Sequence, residues 1–263
     1  MSSYETLIVE PQDAITVIRL NRPEVFHAVN ARMRLELLQC LRDAERSPDV
    51  RCIVLTGTGD RAFCSGQDLL ELAAAGSPPP LKSMLEEQYH PIIERLSLGG
   101  KPVVAMINGV AAGTGLSFAL ACDLRIMSQS ARLLPVWVRI GLMPDCGALW
   151  FLTRLAGAGR AFEFAALGQD IPADEALRAG LVNHVVPAAE LESTALEHAR
   201  RLAAGPARAI GLAKRGLRAA LAAGLHETLT YEAQLQQIAS ETADHREALS
   251  AFLEKRPPRF SGS

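Results

Sequence analysis

Two short segments constrain this chain most, because each joins an apolar run to a helical pattern through small residues. The first is Cys64–Asp68 (CSGQD), and the second is Ala111–Gly115 (AAGTG). Glycine lets the backbone adopt positive φ values and approach a ligand closely. A helix N-terminus leaves N–H groups without partners and carries partial positive charge. Two such N–H groups aimed at one point would form an oxyanion hole, although each segment alone is also compatible with a tight strand-to-helix turn.

The hydrophobic pattern predicts strands with crossover helices first and helices last. Up to residue 150 we predict strands at Thr6–Glu10, Ala14–Leu20, Arg51–Thr56, Val103–Ile107 and Leu124–Met127, and helices at Asn30–Arg46 and Leu81–Ser97. Ala73–Pro80 is predicted to be a surface loop, and helices dominate from Trp150 onwards, with one strand at Leu181–Val186. This order predicts an α/β core followed by a helical C-terminal part.

Charge and composition exclude several classes of protein. The 27 basic residues are outnumbered by 29 acidic ones, so we do not expect a nucleic-acid partner. The five cysteines lack the spacing of a zinc site and are interpreted as reduced thiols. The N-terminus lacks the apolar region of a secretory signal, and there is no long apolar run for a membrane span. We therefore predict a cytoplasmic protein with no membrane partner.

Further motifs stand in a fixed order around the two segments. They are Asn21–Pro23 (NRP), Phe63–Leu69, Lys101–Gly113, Cys122–Leu124 and Phe252–Phe260. Together they resemble the enoyl-CoA hydratase/isomerase (crotonase) superfamily over essentially the whole chain. The resemblance implies an α/β fold with a crotonase-like ββα spiral core, a helical C-terminal trimerisation region, and homotrimers or dimers of trimers. We place the core at residues 1–200 and the oligomerisation region at 201–263.

The resemblance also implies how an acyl-CoA thioester would bind. The thioester carbonyl would accept hydrogen bonds from two main-chain N–H groups, which map to Gln67 and Thr114. Two parts of coenzyme A would contact the protein. The adenine would lie near Ser65, Gln67 and Leu69. The phosphates would lie near Arg22 and near Lys255 of a neighbouring subunit. Coenzyme A is part of the substrate, so no separate cofactor and no metal is implied. The alternative interpretation of Lys255 and Arg22 is that they are solvated surface charges.

The acid/base residues of the family's hydratases are replaced in this chain. Those hydratases use two glutamates, and the corresponding positions here are Ser117 and Trp137. Neither side chain can serve as a carboxylate acid or base. One carboxylate remains nearby, Asp145 in Gly141–Gly147, and it matches the aspartate of family isomerases that act without either glutamate. The likeness is closest to isomerases of ring-epoxidised phenylacetyl-CoA and extends to Ala243–Glu247.

A single carboxylate is enough for an isomerase, because it can remove a proton and return it to the far end of the dienolate. We therefore predict a double-bond isomerase that acts on ring-epoxidised phenylacetyl-CoA or on a 3-enoyl-CoA, with Asp145 as its catalytic residue. Apolar neighbours would raise the pKa of Asp145, namely Leu142, Met143, Cys146, Leu149 and Trp150. Ser117, Trp137 and His90 are predicted to line the acyl pocket.

The sequence allows other interpretations. Asp145 precedes a helical run and could instead cap that helix. Asp68 is interpreted as a structural carboxylate at the start of a helix. The chain could be an enoyl-CoA hydratase despite the missing glutamates, in which case it would add water to crotonyl-CoA. It could also be a non-catalytic acyl-CoA-binding subunit, which would bind coenzyme A thioesters without turnover.

Overall fold

The computed structural model describes residues 4–74 and 80–262. Its strands are β1 (Leu7–Gln12), β2 (Ile15–Leu20), β3 (Cys52–Gly57), β4 (Ala62–Cys64), β5 (Val103–Ile107), β6 (Val110–Ala112), β7 (Leu124–Ser128), β8 (Arg132–Leu134), β9 (Ile171–Pro172) and β10 (His184–Val186). Its α-helices are α1 (Ala31–Arg46), α2 (Leu69–Ala74), α3 (Leu81–Met84), α4 (His90–Leu98), α5 (Thr114–Ala121), α6 (Ala148–Leu167), α7 (Ala173–Arg178), α8 (Leu191–Ala204), α9 (Ala207–Ala220), α10 (Leu225–Ser240) and α11 (Ala243–Leu253). Of the predicted loop Ala73–Pro80, residues 75–79 lie outside the described residues, and Ala73 and Ala74 end α2.

The larger sheet has the strand order β1-β2-β3-β5-β7-β10. The first two predicted strands, β1 and β2, form an antiparallel hairpin, and the remaining pairs are parallel. Side chains alternate between two cores along β3, where Ile53 and Leu55 enter one core and Cys52 and Val54 enter the other. The strand predicted at Arg51–Thr56 is therefore confirmed, and both of its faces are covered.

The two cores are covered by different helices. The larger core includes residues of α1, α4 and α5, and the smaller core is closed by apolar residues of α8 such as Leu191, Ala195 and Ala199. Helix α8 thus packs on the sheet, while α9 to α11 follow it along the chain. The predicted division at residue 201 falls inside α8, and the division into two units stays a prediction.

The smaller sheet brings the two glycine-containing segments together. Its strand order is β4-β6-β8-β9, and β4 runs parallel to β6. Because parallel neighbours end at the same edge, the chain leaving β4 and the chain leaving β6 emerge side by side. In the second of these segments, Ala111 and Ala112 pair within β6 and Thr114 already begins α5, so Gly113 alone joins the strand to the helix.

The predicted helix over Leu81–Ser97 is interrupted at its centre. The segment Leu85–Tyr89 is a π-helix between α3 and α4, and Pro91 lies in the first turn of α4. Proline has no N–H to donate and clashes with the carbonyl four residues earlier, so an uninterrupted α-helix cannot pass through it. This change of helical geometry turns Tyr89 into the core, where only 1% of it is exposed.

The remaining predictions about the chain concern its thiols and membrane segments. All five cysteines are free and buried, as their interpretation as reduced thiols predicts. Within the described ranges, we find no helix that combines the length and the apolar character needed to cross a membrane.

Candidate active site

The two segments meet at a cavity of about 100 Å³. Its wall includes Ser65, Gly66, Gln67, Leu69, Met84, Leu85, Tyr89, Gly113, Thr114, Val136, Trp137, Ile140, Leu142 and Asp145. Gly66 has a φ of +94°, and a Cβ there would lie 2.8 Å from Ala112 O and 3.3 Å from Thr114 N. Only glycine fits this conformation and spacing, so Gly66 lets the two segments come into contact.

The main-chain N–H of Gln67 is directed by a bridge between Val29 and Gln67. The two hydrogen bonds of this bridge are made by the flanking residues: Val29 N donates to Gly66 O at 2.7 Å, and Asp68 N donates to Val29 O at 3.1 Å. In a parallel bridge of this kind, the N–H and C=O of the central residue point to the opposite side. The N–H of Gln67 therefore points away from Val29.

The main-chain N–H of Thr114 is the first of helix α5. Such an N–H has no partner within its own helix and lies at the positive end of the helix dipole. The position of α5 is fixed by close packing, because a Cβ on Gly115 would lie only 2.2 Å from Cys64 O. The structure thus places the two predicted oxyanion donors on the wall of one cavity.

The side chain of Asp145 lines the same cavity and is held by Trp137. The indole Nε1 of Trp137 donates a hydrogen bond of 2.9 Å to Asp145 Oδ1. The hydroxyl of Ser117 donates to the main-chain carbonyl of Asp145 at 3.0 Å. Gly147 occupies the cap position of α6 and has no side chain to cap with, so the alternative interpretation of Asp145 as a helix cap is wrong.

Burial raises the pKa of Asp145 above its ordinary value. The hydrogen bonds from Trp137 and Cys146 and the charge of His90 act in the opposite direction and only partly offset it. The five predicted apolar neighbours are not equally buried. Leu142 lines the cavity and Cys146 is buried, whereas Met143 and Leu149 are 62% and 44% exposed, and Trp150 meets the neighbouring Phe151 edge to face.

The three predicted acyl-pocket residues take different positions. Trp137 lines the cavity, whereas Ser117 is fully buried behind the main chain of Asp145. His90 is exposed at the start of α4, and the wall is formed by the preceding residue, Tyr89. Tyr89 was not among the predicted pocket residues, although an aromatic residue beside the predicted pocket position His90 was the available signal.

Three of the five predicted coenzyme A contacts line the cavity, and Arg22 and Lys255 do not. Ser65 and Leu69 line the cavity with Gln67, and Lys255 is exposed just after α11. Arg22 is not a solvated charge, because it donates to Asp68 Oδ2 at 2.9 Å and to Ala28 O at 2.6 Å. The structure therefore gives Arg22 a role in supporting the segment after β4.

Asp68 is a structural carboxylate, as predicted. Its Oδ1 accepts hydrogen bonds from Leu70 N and Glu71 N in the first turn of α2. Burial alone would raise the pKa of Asp68, but the hydrogen bonds from Arg22 and these two N–H groups outweigh it and lower the pKa. Asp68 therefore stays charged and is occupied by structural partners.

Several larger grooves lie elsewhere on the described surface, and two of them are beside helix α9. One, of about 660 Å³, lies between α9 and α10 and is lined mostly by alanine and leucine. The other, of about 520 Å³, contains Asp123, which pairs with both Lys214 and Arg218. A carboxylate and main-chain donors converge instead at the smaller cavity, which is therefore the better candidate for an active site.

Comparison with known proteins finds relatives along almost the whole chain. The family model described as enoyl-CoA hydratase/isomerase matches residues 10–263. A probable enoyl-CoA hydratase of Rhodobacter capsulatus is 44% identical over 260 residues, which is 99% of each chain. The 1,2-epoxyphenylacetyl-CoA isomerase of Escherichia coli is 39% identical over 98% of this chain and 99% of its own.

A third relative and a solved structure extend the comparison. The 4-chlorobenzoyl coenzyme A dehalogenase-2 of an Arthrobacter species is 36% identical over 97% of this chain and 92% of its own. The crystal structure of an enoyl-CoA hydratase from Bacillus anthracis superposes with a TM-score of 0.94 at 33% identity, covering 98% of this chain and 100% of that one. The predicted crotonase-like α/β fold is thereby confirmed, and this chain belongs to the enoyl-CoA hydratase/isomerase family.

Proposed function

We propose that this chain is an acyl-CoA double-bond isomerase with a main-chain oxyanion hole and one aspartate that shuttles the proton. The observation that carries the proposal is that Asp145 lines the same cavity as Gln67 and Thr114. The proposed substrates are ring-epoxidised phenylacetyl-CoA, rearranged to the seven-membered oxepin, and 3-enoyl-CoA, converted to 2-enoyl-CoA.

The proposed mechanism on a 3-enoyl thioester uses two parts of the cavity. The N–H groups of Gln67 and Thr114 stabilise the enolate oxygen, and losing one such donor typically costs about 3–4 kcal/mol. The carboxylate of Asp145 takes the proton from C2 and returns it to C4 of the dienolate. A raised pKa makes this carboxylate a stronger base than an exposed aspartate.

The positions of Ser117 and Trp137 disfavour the hydratase alternative. A hydratase must activate water and deliver a proton, and neither a hydroxyl buried behind Asp145 nor an indole that already donates to it offers a carboxylate. The relatives include proteins named as hydratases, so water addition to crotonyl-CoA belongs in the same set of assays.

The test compares the unmodified protein with Asp145→Asn on 3-hexenoyl-CoA, following the absorbance of the conjugated product. Asparagine still accepts the hydrogen bond from Trp137 but cannot take up a proton. We expect kcat to fall by about 10²–10⁴-fold, the usual contribution of general acid–base catalysis. The matched control is Asp174→Asn, because Asp174 is 65% exposed and pairs only within its helix with Arg178.

Three results would contradict the proposal. They are rapid hydration of crotonyl-CoA without isomerisation, tight binding of thioesters without turnover, and unchanged kcat in Asp145→Asn. With the ring-epoxidised substrate the product has the same mass as the substrate, so conversion is followed by chromatographic retention.

A second candidate function uses the same carboxylate as a nucleophile. It is favoured by the aromatic wall formed by Tyr89 and Trp137 beside Asp145, and by the relative named as a 4-chlorobenzoyl-CoA dehalogenase. Carboxylates can form covalent intermediates in this way. Asp145 would displace chloride from the ring, and water would then hydrolyse the aryl ester. Chloride release from 4-chlorobenzoyl-CoA, lost in Asp145→Asn, would establish this reaction in place of the isomerase.

We also infer that the chain assembles into trimers or dimers of trimers through its C-terminal helices. Large apolar side chains are exposed there, including Leu217, Leu225, Phe252 and Leu253 at 71–80%. Contiguous apolar patches of this kind mark protein interfaces. Light scattering after size-exclusion chromatography should give three or six times the mass of one chain, and a monomer would contradict the inference.

A further inference from the structure

A buried arginine lies directly behind the cavity. Arg34 is on helix α1, and only 4% of its side chain is exposed. A charge this deep in a protein is costly unless its donors are satisfied. All three guanidinium nitrogens of Arg34 donate hydrogen bonds, so the buried charge is satisfied by a network of side chains around it.

Two of its partners belong to the cavity wall. Arg34 Nη1 donates to Gln67 Oε1 at 3.2 Å and to the hydroxyl of Tyr89 at 3.4 Å. The hydroxyl of Tyr89 in turn donates to Gln67 Oε1. Burial raises the pKa of Tyr89, which keeps its hydroxyl protonated as a donor. The three side chains therefore form a closed set of hydrogen bonds.

The other partners connect this set to the surrounding helices. Arg34 Nη2 pairs with Glu71 Oε1 at 2.6 Å, and Arg34 Nε donates to Gln88 Oε1 at 2.7 Å. Glu71 also accepts from Ala31 N, the first residue of α1, at 2.6 Å. Glu71 lies on α2, and Gln88 lies in the π-helix, so one guanidinium fixes the segments on both sides of the cavity to α1.

The side chain of Gln67 is thereby fixed at both ends of its amide. Its Oε1 accepts from Arg34 and Tyr89, and its Nε2 donates to Asp68 O at 3.0 Å. A side chain that is immobilised in this way restrains its own main chain. The main-chain N–H of Gln67 is the group that the proposed function assigns to the oxyanion hole.

We propose that Arg34 is a positioning residue that sets the place of the Gln67 N–H and of the Tyr89 ring in the acyl cavity. The proposal rests on the proposed function, because it takes the Gln67 N–H as an oxyanion donor. Lysine cannot replace Arg34 in this role, since a single ammonium cannot reach the four side chains that the planar guanidinium bridges.

The experiment compares Arg34→Lys and Arg34→Met with the control Arg32→Met. Arg32 lies on the same helix but is 53% exposed and pairs with Glu36. The first readout is the kinetics of isomerisation. We expect kcat to fall about 10- to 100-fold in both Arg34 variants, with KM changed by less than about threefold, because a small misplacement of a donor affects the transition state most.

The second readout is the infrared band of a bound thioester labelled with ¹³C at its carbonyl. It is measured in the Asp145→Asn background, where we expect the thioester to be consumed at least about 100-fold more slowly. Polarisation by the oxyanion donors lowers the carbonyl frequency, so we expect the frequency to move back towards that of the free thioester when Arg34 is replaced. In the Arg32→Met control, both kcat and the band should stay unchanged.

The outcomes separate this proposal from the function on which it rests. If Arg34→Lys folds and keeps both kcat and the carbonyl frequency of the parent, Arg34 has no positioning role. If Arg34→Met does not fold, the positioning role is judged from Arg34→Lys and Gln67→Met. The second of these variants removes Oε1, the acceptor that Arg34 and Tyr89 share. If the protein isomerises no thioester, the proposed function fails, while the carbonyl band still reports whether Arg34 positions the donor. If no thioester binds, both are overturned.

Discussion

The two walls of the cavity are built in different ways. The wall that holds the oxyanion donors is main chain, and its geometry is set by Gly66 and Gly115, where a Cβ would overlap neighbouring backbone atoms. The opposite wall is side chain, with Asp145 held by Trp137. Under the proposed function, the first wall would hold the thioester oxygen, and its position depends on backbone packing that a single side-chain substitution elsewhere does not alter. The second wall would supply the base, and its chemistry depends on two side chains, Asp145 and Trp137.

The largest effect is expected where the main-chain wall is most tightly packed. In Gly115→Ala the new Cβ would lie 2.2 Å from Cys64 O and 2.8 Å from Cys64 C. We expect the free energy of unfolding to fall by about 3 kcal/mol or more, with loss of activity, because displacing backbone atoms is costly. Chemical denaturation measures the free energy of unfolding. Gly159→Ala is the control, because the new Cβ would meet no atom within 4 Å, and it should be at least as stable as the parent. Equal stability of the two variants would contradict this expectation.

The second effect concerns the contact between the two donor segments. Gly66→Ala places a methyl group 3.3 Å from Thr114 N at a φ of +94°. We expect kcat to fall about 100-fold or more, because the two N–H groups can no longer converge on one oxygen. Gly59→Ala is the control, since Gly59 also has a positive φ, +72°, but no atom within 4 Å. If both variants lose the same activity, strain at glycine rather than separation of the donors is the cause.

The third effect tests the side-chain wall through pH. Asp145 acts as a base only when charged, so kcat/KM falls as the pH drops through its pKa. Burial raises this pKa, and the Trp137 hydrogen bond partly offsets it. Trp137→Phe removes that hydrogen bond, so the pKa of Asp145 should rise and the acidic limb of the pH profile should move to higher pH. At pH values above this limb, kcat should fall by about tenfold or less. Trp150→Phe should leave the profile unchanged, and an unmoved limb in Trp137→Phe would show that the indole does not act on the base.

The smallest effect is expected from His90. Its positive charge is the weakest of the influences that lower the pKa of Asp145, and its side chain is exposed. His90→Gln should move the acidic limb in the same direction as Trp137→Phe but by less, because solvent screens an exposed charge. The shift should shrink further in high salt. A large loss of kcat at every pH would instead show that His90 contacts the substrate.

The sequence was most informative where local chemistry leaves few choices. The glycine segments, the apolar run of β3 and the missing glutamates at Ser117 and Trp137 could all be interpreted from residue type and order. The sequence was least informative about Arg34 and Tyr89. A charged residue on the apolar face of α1 was a signal for a buried ion pair, but nothing local shows that its partners lie on α2 and in the π-helix.

The main strands of the larger sheet, the two segments that require glycine and one candidate carboxylate could be predicted from the sequence, because they follow from backbone sterics and residue chemistry. The hydrogen bond from Trp137 to Asp145, the position of Ser117 behind Asp145, and the place of Tyr89 rather than His90 in the wall depend on the tertiary structure. These contacts join residues whose distance depends on how β4, β6 and the helices pack. Side-chain direction after packing is not encoded in any one segment.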